Sequence, residues 1–444
     1  MANELAARAI SIEARTLHKV RIRILPFIFV LFVVCFLDRI NIAFAALTMN
    51  KELAITNQQF GLLLGVFFFG YFIFEIPSNL LLHKMGARVW IARILISWGI
   101  MAMLTGFVHS AHQLYLIRFL LGVAEAGFFP GIVLYLTYWF RQREQAQAMA
   151  LFMAALPVTS ILGAPLSGLI LDHLHWLSIS SWRWLLVLEG IPAVACGVLT
   201  YFLLPSRPAE AEFLTPDEID WITTELAREE EQKRERCQIS ATQALANGRV
   251  WHLACIDFSA LIGMYSLAFW MPQAVKSFSN RYSNSSVGFL VMIPYLTALL
   301  AMILVSRSSD RKLERRYHAA IPLTIGGIAL MLLGRAASPS SLIALLSFVA
   351  MGTYGFLGPF WAMPGEFLTG YSAASGIALI TSIANLAGFI GPYAIGAIRD
   401  RTGSLNGGMA VAGVSLFVSA ALVLLVPRKA RAPGKALICR ASGP

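Results

Sequence analysis

Between Ile24 and Leu47 the chain reads ILPFIFVLFVVCFLDRINIAFAAL, and this stretch decides the class of fold. A helix of that length rises ~36 Å at 1.5 Å per residue, enough to cross a hydrocarbon core of ~30 Å. Eleven further apolar runs follow at about 58–82, 90–108, 113–139, 148–171, 184–204, 250–275, 286–306, 318–335, 341–364, 374–398 and 409–426. They are too long and too continuous for barrel strands of ~10 residues. The expected fold is therefore an all-α membrane protein with twelve transmembrane helices.

Composition agrees. Of 444 residues, 57% are hydrophobic and only 13% charged, against about 25% charged in soluble proteins. Mean hydropathy is +0.68. Little chain remains for a soluble catalytic or nucleic-acid-binding module. The net charge of +11 is read through the loops instead. Lys and Arg gather in the N-terminal lead-in, at Lys84 and Arg88, at Arg141 and Arg143, in the central stretch, from Arg307 to Arg316, and in the C-terminal tail. The opposite loops hold only Lys51, Arg183, Lys276, Arg281, Arg335, Arg399 and Arg401. Both termini and the central loop are thus expected to be cytoplasmic, in the inner (plasma) membrane of the cell. Arg8, Arg15, Lys19, Arg21 and Arg23 read as a cytoplasmic lead-in rather than a removable signal.

The organisation expected is an N-terminal six-helix half (1–204), a cytoplasmic linker (205–248) and a C-terminal six-helix half with its tail (249–444). In the linker, Thr215-Pro216-Asp217-Glu218 is a capping box followed by Ile219, Ile222 and Leu226 on one face, with Trp221 at its margin. That pattern predicts an amphipathic helix on the headgroups. A repeat relates the halves as pseudo-symmetric copies. Gly163-Ala164-Pro165-Leu166-Ser167-Gly168 is followed four residues later by Asp172, and Gly391-Pro392-Tyr393-Ala394-Ile395-Gly396 by Asp400. Pro130-Gly131 and Pro364-Gly365 occupy matching places. Repeat-built bundles alternate access around a midplane site.

Ionisable groups inside spans are costly and mark candidate sites. The first span holds Asp38 near mid-depth, with Arg39 beside it and Asn41 one turn on. Adjacent residues point ~100° apart, so Asp38 and Arg39 cannot face one partner. Arg118 and Glu125 in the fourth span share a face ~10 Å apart, too far for a direct bond along the helix. A second helix carrying Asp38 or Arg39 would close the network. Two readings stay open: a carboxylate that takes and releases a proton, or a static pin between helices. Tyr71 and Glu75 share a face of the second span among Gly61, Gly65 and Gly70. Tyr71 offers a cavity hydroxyl, and Glu75 is either a site group or the partner of a loop Arg. Asp257 reads as shallow and Glu366 ends its span. Asn385, Trp270 and Trp361 are read either as ligand contacts or as packing.

Cys35, Cys196, Cys237, Cys255 and Cys439 show no CxxC pairing, and no P-loop or HExxH motif is present. No metal, cofactor or enzymatic activity is expected. His109 with His112 and His173 with His175 read as solvated span ends.

Three motifs resemble one family. Leu37-Asp38-Arg39-Ile40-Asn41-Ile42-Ala43-Phe44-Ala45, Phe74-Glu75-Ile76-Pro77-Ser78-Asn79-Leu80-Leu81-Leu82 and Arg118-Phe119-Leu120-Leu121-Gly122-Val123-Ala124-Glu125-Ala126-Gly127-Phe128-Phe129-Pro130-Gly131 resemble the anion:cation symporter branch of the major facilitator superfamily. Within it the chain looks most like bacterial tartrate, hydroxyphenylacetate and sugar-acid transporters. The resemblance implies proton-driven uptake of a small organic anion by a monomer in contact with membrane lipid. It assigns proton coupling to Asp38 and Glu125, with Arg118 as the charge partner of Glu125. It makes Arg39 a carboxylate contact and Tyr71 and Asn385 substrate contacts. Trp361 joins the substrate candidates. The family's Gly-x-x-x-Asp-Arg-x-Gly loop is altered here, with His83 where Asp is usual, while a second copy keeps Asp310-Arg311 with Ser306 for Gly. The rival within transport is an anion exchanger without proton coupling. Outside transport the rivals are a multi-pass enzyme or a membrane sensor.

Overall fold

The structure is a computed structural model describing residues 2–236, 246–278, 281–364 and 371–427. Cys237, Gly365, Glu366, Cys439, the end of the linker and the C-terminal tail lie outside the described residues. The His83 side chain is also outside them.

Twelve helical spans are long and apolar enough to cross a membrane, one for each run expected from sequence. No strand occurs among the described residues. The N-terminal set begins with α1 (Ala2–Glu52), α2 (Asn57–Met85), α3 (Ala87–Thr105) and α4 (Ala111–Glu125). It continues through α5 (Phe128–Thr137), α6 (Gln142–His173) and α7 (Ser181–Leu203). The linker carries α8 (Pro216–Arg236). The second set begins with α9 (Gly248–Phe278), α10 (Asn284–Lys312), α11 (Arg316–Leu332) and α12 (Pro339–Gly355). It ends with α13 (Leu357–Ala362), α14 (Tyr371–Asn385), α15 (Ala387–Thr402) and α16 (Leu405–Leu425). Large apolar side chains such as Leu116, Leu300 and Leu304 are exposed on the outer faces, as lipid requires. Helices start where a side chain satisfies orphan backbone N–H groups. Thr56 forms a full capping box with Gln59 at the head of α2, and Ser110, Ser283, Ser338 and Ser404 cap α4, α10, α12 and α16.

The fourth span is broken. Gly127 between α4 and α5 has φ +86°, a conformation open to glycine at little cost, and a Cβ there would lie 2.3 Å from Ser78 Oγ. The break leaves Glu125 as the last residue of α4. Small residues bring α4 onto α2, where a Cβ on Gly122 would meet the Phe67 carbonyl at 2.1 Å.

The repeat read from sequence becomes two matching seams between the halves. Asp172 at the end of α6 accepts hydrogen bonds from Asn284 N (3.1 Å), Asn284 Nδ2 (2.8 Å) and Ser285 N (2.7 Å) at the start of α10. Asp400 at the end of α15 does the same at the start of α2, from Asn57 N (3.2 Å), Asn57 Nδ2 (2.7 Å) and Gln58 N (2.7 Å). Each carboxylate caps a helix N-terminus in the other half, where charge and exposed N–H groups attract it. Glycines let the backbones touch. A Cβ on Gly288 or Gly61 would meet the Ala164 or Pro392 carbonyl at 2.4 or 2.5 Å. The two seams close the end of the bundle opposite the N-terminus.

The α8 helix corrects one expectation. Its apolar face is turned onto the protein, not onto headgroups: Ile222 is 2% exposed, and Ile219, Trp221 and Leu226 pack on the core. Glu218 accepts from Lys19 Nζ on α1 at 2.7 Å and from Thr215 N at 2.9 Å. Burial raises the Glu218 carboxyl, but these bonds outweigh it and hold the group below its ordinary value. Arg141 ties the same region together, bonding Glu13 (2.7 Å) and Glu144 (2.8 Å) and lying 5.1 Å from the Trp221 ring. Arg88, after the altered loop, reaches Glu210 at 2.9 Å and the Leu204 carbonyl at 2.8 Å. In the second copy Asp310 pairs with Arg315 at 2.5 Å.

Candidate functional site

The midplane site is built around one side chain of α1. Arg39 lines two narrow voids between the halves. The first also touches Leu64, Phe67 and Phe68 of α2, Arg118 of α4 and Phe269 of α9. The second is bounded by Phe36 of α1, Ser160 of α6, Met264, Tyr265 and Phe269 of α9, and Tyr354 of α12. The Arg39 guanidinium sits 5.0–5.8 Å from the ring centres of Phe36, Phe67, Phe68 and Tyr71. Such rings hold a cation without neutralising it.

Its charge is answered from α4. Arg39 Nε and Nη2 both donate to Glu125 Oε1, at 3.1 and 2.5 Å. The Cys35 thiol donates to the same oxygen at 3.4 Å. Glu125 is fully buried, and its Oε2 has no partner. Arg39 of the first span thus closes the network on Glu125. Arg118 makes no hydrogen bond to Glu125, as its spacing along the helix implies; it is 3% exposed, with Nε and Nη2 unpartnered. Arg118 remains within electrostatic range of Asp38 and Glu125.

Asp38, 2% exposed, points away from Arg39 as the helical turn requires. Its two oxygens accept from Asn41 Nδ2 at 3.1 Å and from Trp98 Nε1 of α3 at 3.2 Å. The remaining candidates divide. Tyr71 is buried with its ring 5.4 Å from the Arg39 guanidinium. Asn385, at the end of α14, reaches the site through Tyr265, whose hydroxyl donates to its Oδ1 at 3.3 Å. Trp361 on α13 lines neither void and packs edge-on against Phe360, ring centres 5.2 Å apart. Trp270 packs edge-on against Phe60.

Several groups were misread or missed. Glu75 is bonded not to a loop Arg but to Ser382 of α14 in the other half, at 2.7 Å. Asp257 is 2% exposed, with Oδ1 unpartnered. Glu189 on α7 was missed. It is 2% exposed, accepts from Ser167 Oγ at 3.0 Å, and has Oε2 unpartnered. The signal that marked Asp38 was there as well, a lone carboxylate in an apolar run. Tyr265, Tyr354 and Ser160 carried no signal, being ordinary residues of buried helices.

Chemically, the site offers a cation whose partner is a carboxylate with a free oxygen, enclosed by aromatic rings. That suits an anion able to compete for the guanidinium. Among the described residues no cluster of three or more His, Cys, Asp or Glu is placed to hold a metal ion.

Comparison with known proteins follows the same line. The sequence model of the Major Facilitator Superfamily matches residues 27–392. Over 419 residues the chain is 44% identical to a "Putative tartrate transporter" of Agrobacterium vitis, covering 94% of this chain and 96% of that one. It is 36% identical over 374 residues to the "Inner membrane transport protein RhmT" of Escherichia coli (strain K12), covering 84% and 86%. The crystal structure of a D-xylose-proton symporter superposes with a TM-score of 0.73 at 13% identity, covering 90% of this chain and 97% of that one. At that identity the likeness speaks for the fold alone.

Proposed function

The chain belongs to the Major Facilitator Superfamily, and from that premise we propose that it is a proton-coupled symporter taking up a small organic carboxylate by alternating access. It is a multi-pass membrane transporter of a small molecule. The finer reading places it in the inner membrane as a monomer with both termini cytoplasmic, in keeping with its Lys- and Arg-rich loops.

The observation that carries the proposal is the Arg39–Glu125 pair. The Nε–Nη2 face of the Arg39 guanidinium, one of the two a carboxylate ligand can grip, is spent on Glu125 Oε1. A substrate carboxylate can take that face of the fork only if Glu125 lets go. Protonating Glu125 releases it without stranding a buried anion. The empty site, with Arg39 positive and Glu125 negative, is neutral. The site holding one proton and one carboxylate is also neutral. Anion alone or proton alone leaves net charge in a dry cavity, which costs several kcal/mol. The two neutral states can close and reorient, and the charged ones cannot, which is the rule a symporter needs. Arg118 supplies a fixed positive charge beside the pair, and Asp38 a second carboxylate whose charge it balances. The aromatic cage favours a compact carboxylate, and the tartrate name borne by one relative supports an organic acid as cargo.

The test is uptake into proteoliposomes, with and without a pH step, over a panel of tartrate, sugar acids and aromatic acids. Wild type should accumulate its substrate only with the step. Glu125→Gln mimics the protonated form, so it should keep binding and counterflow and lose accumulation. Accumulation that ignores the pH step, or persists in Glu125→Gln, would leave the exchanger in place of the symporter.

A further inference from the structure

Among the described residues four carboxyl groups are buried within the spans of the N-terminal half: Asp38, Glu125, Glu189, and Glu75, which is held by Ser382 of the other half. Only two guanidinium groups, Arg39 and Arg118, accompany them. Arg39 is bonded to Glu125, and Arg118 faces Asp38 and Glu125 electrostatically. Glu189 is left over. Its one charged neighbour is Asp38, which is also negative.

The hydrogen bonds around Glu189 have a direction. Ser167 Oγ on α6 donates to Glu189 Oε1 at 3.0 Å, and Oε2 has no donor. The Asn41 side chain neighbours Glu189. Asn41 gives its Nδ2 to Asp38 at 3.1 Å, and its own Oδ1 is unpartnered. Two orphaned acceptors, Glu189 Oε2 and Asn41 Oδ1, therefore sit on neighbouring groups. One proton on Glu189 satisfies both. From α3, Trp98 donates to the far oxygen of Asp38 at 3.2 Å, while Gly99 presses its backbone on Gly190.

We propose that Glu189 is a positioning carboxylic acid that keeps its proton, donates it as a hydrogen bond to Asn41, and so orients the Asn41 amide onto Asp38. The chain then runs one way, from the Ser167 hydroxyl through the Glu189 carboxyl and the Asn41 amide to the Asp38 carboxylate. Each buried polar atom along it gains a partner, and such directed chains reinforce one another. Glu189 thereby holds a donor on the Asp38 carboxylate. The bearing of this on transport rests on Asp38 taking part in proton coupling; the protonated state of Glu189 does not.

Two readouts test it separately. Infrared difference spectra of the purified protein report protonated carboxyl groups directly. Glu189→Gln should remove one such band without creating another. The pH profile of substrate counterflow reports the effect on Asp38. Gln reproduces the acceptor and donor of a neutral acid, so Glu189→Gln should rescue the wild-type profile. Asn41→Leu strips a donor from the Asp38 carboxylate, and Glu189→Leu leaves that donor free to turn away, so both should move the profile to the alkaline side, by up to about one pH unit. An unchanged carboxyl band in Glu189→Gln overturns the proposal, because Glu189 was then ionised. A profile shifted as far in Glu189→Gln as in Glu189→Leu overturns it too. If wild-type transport ignores the pH step, proton symport fails by itself and the infrared band still decides whether Glu189 carries a proton.

Discussion

Replacing Asp172 and Asp400 together by Asn should unfasten the end of the bundle opposite the N-terminus. Each aspartate meets a helix N-terminus of the other half through two backbone N–H groups and one side-chain amide, at 2.7–3.2 Å. Asn keeps one accepting oxygen and turns an NH2 toward the second N–H, so one charge-assisted bond is lost, typically about 1.5–3 kcal/mol. The favourable meeting of charge and helix dipole, about 0.3–1 kcal/mol, goes with it. Both sites are near water, so the sum is discounted for screening to ~1–2 kcal/mol per seam. The two seams together then contribute ~2–4 kcal/mol, a shift of roughly 30- to 800-fold in the ratio of closed to open conformers. Spin labels at the exposed positions Lys51 and Arg401 would read it as a second, longer distance between halves. Each single variant should give part of the logarithmic shift. If the double variant keeps the wild-type distance distribution, or one single variant opens this end as far as the double, the caps do not share the closure and the reasoning fails.

Arg39→Lys keeps the charge but loses the fork and much of the ring contact. It should weaken substrate affinity by about 10- to 100-fold at normal membrane abundance; affinity within threefold of wild type contradicts the assignment. Gly122→Val drives a side chain into the Phe67 carbonyl, with overpacking of about 1–3 kcal/mol or more, and should lower the Tm of the purified protein. The Lys19–Glu218 contact has a definite sign. Glu218 is held below its ordinary value by the Lys19 and Thr215 bonds that outweigh burial, so its contribution is complete above the unfolded pKa of about 4.3 and is lost as pH falls through the folded value. Hydrogen exchange in α8 should therefore rise at acid pH in wild type, and already at neutral pH in Lys19→Ala.

The spans were legible because a membrane demands long apolar runs, and a run such as Ile24–Leu47 has few other uses. Asp38, Arg39 and Glu125 were legible for the converse reason, that charge in such a run needs a purpose. Partner choice was legible only in part: Asp38 and Arg39 were both open as the group that meets Glu125, and the Glu75 partner was not visible at all. Arg39 and Glu125 are 86 residues apart, and Glu75 and Ser382 307 apart. Which faces meet depends on how helices cross, a quantity absent from any one helix. The burial of Asp257 was not legible, because it comes from neighbouring helices and not from its position along α9. Glu189 obeyed the rule that found Asp38 and was passed over five residues into its run. The repeat was legible as a pattern, but its use in capping the opposite half required the packing.

The docking of α8 changes what joins the halves mechanically. Counted along the sequence, the connection runs from 205 to 248, a slack tether. Most of it is not free to act as one. Arg88 grips Glu210, Ile222 is buried, and Glu218 is bonded to Lys19, so the chain through α8 travels with the first half as cargo. The anchor point on the first half is therefore the docked face of α8, not the end of α7. Trimming residues from α8 would cast that anchor loose and lengthen the effective tether between the halves.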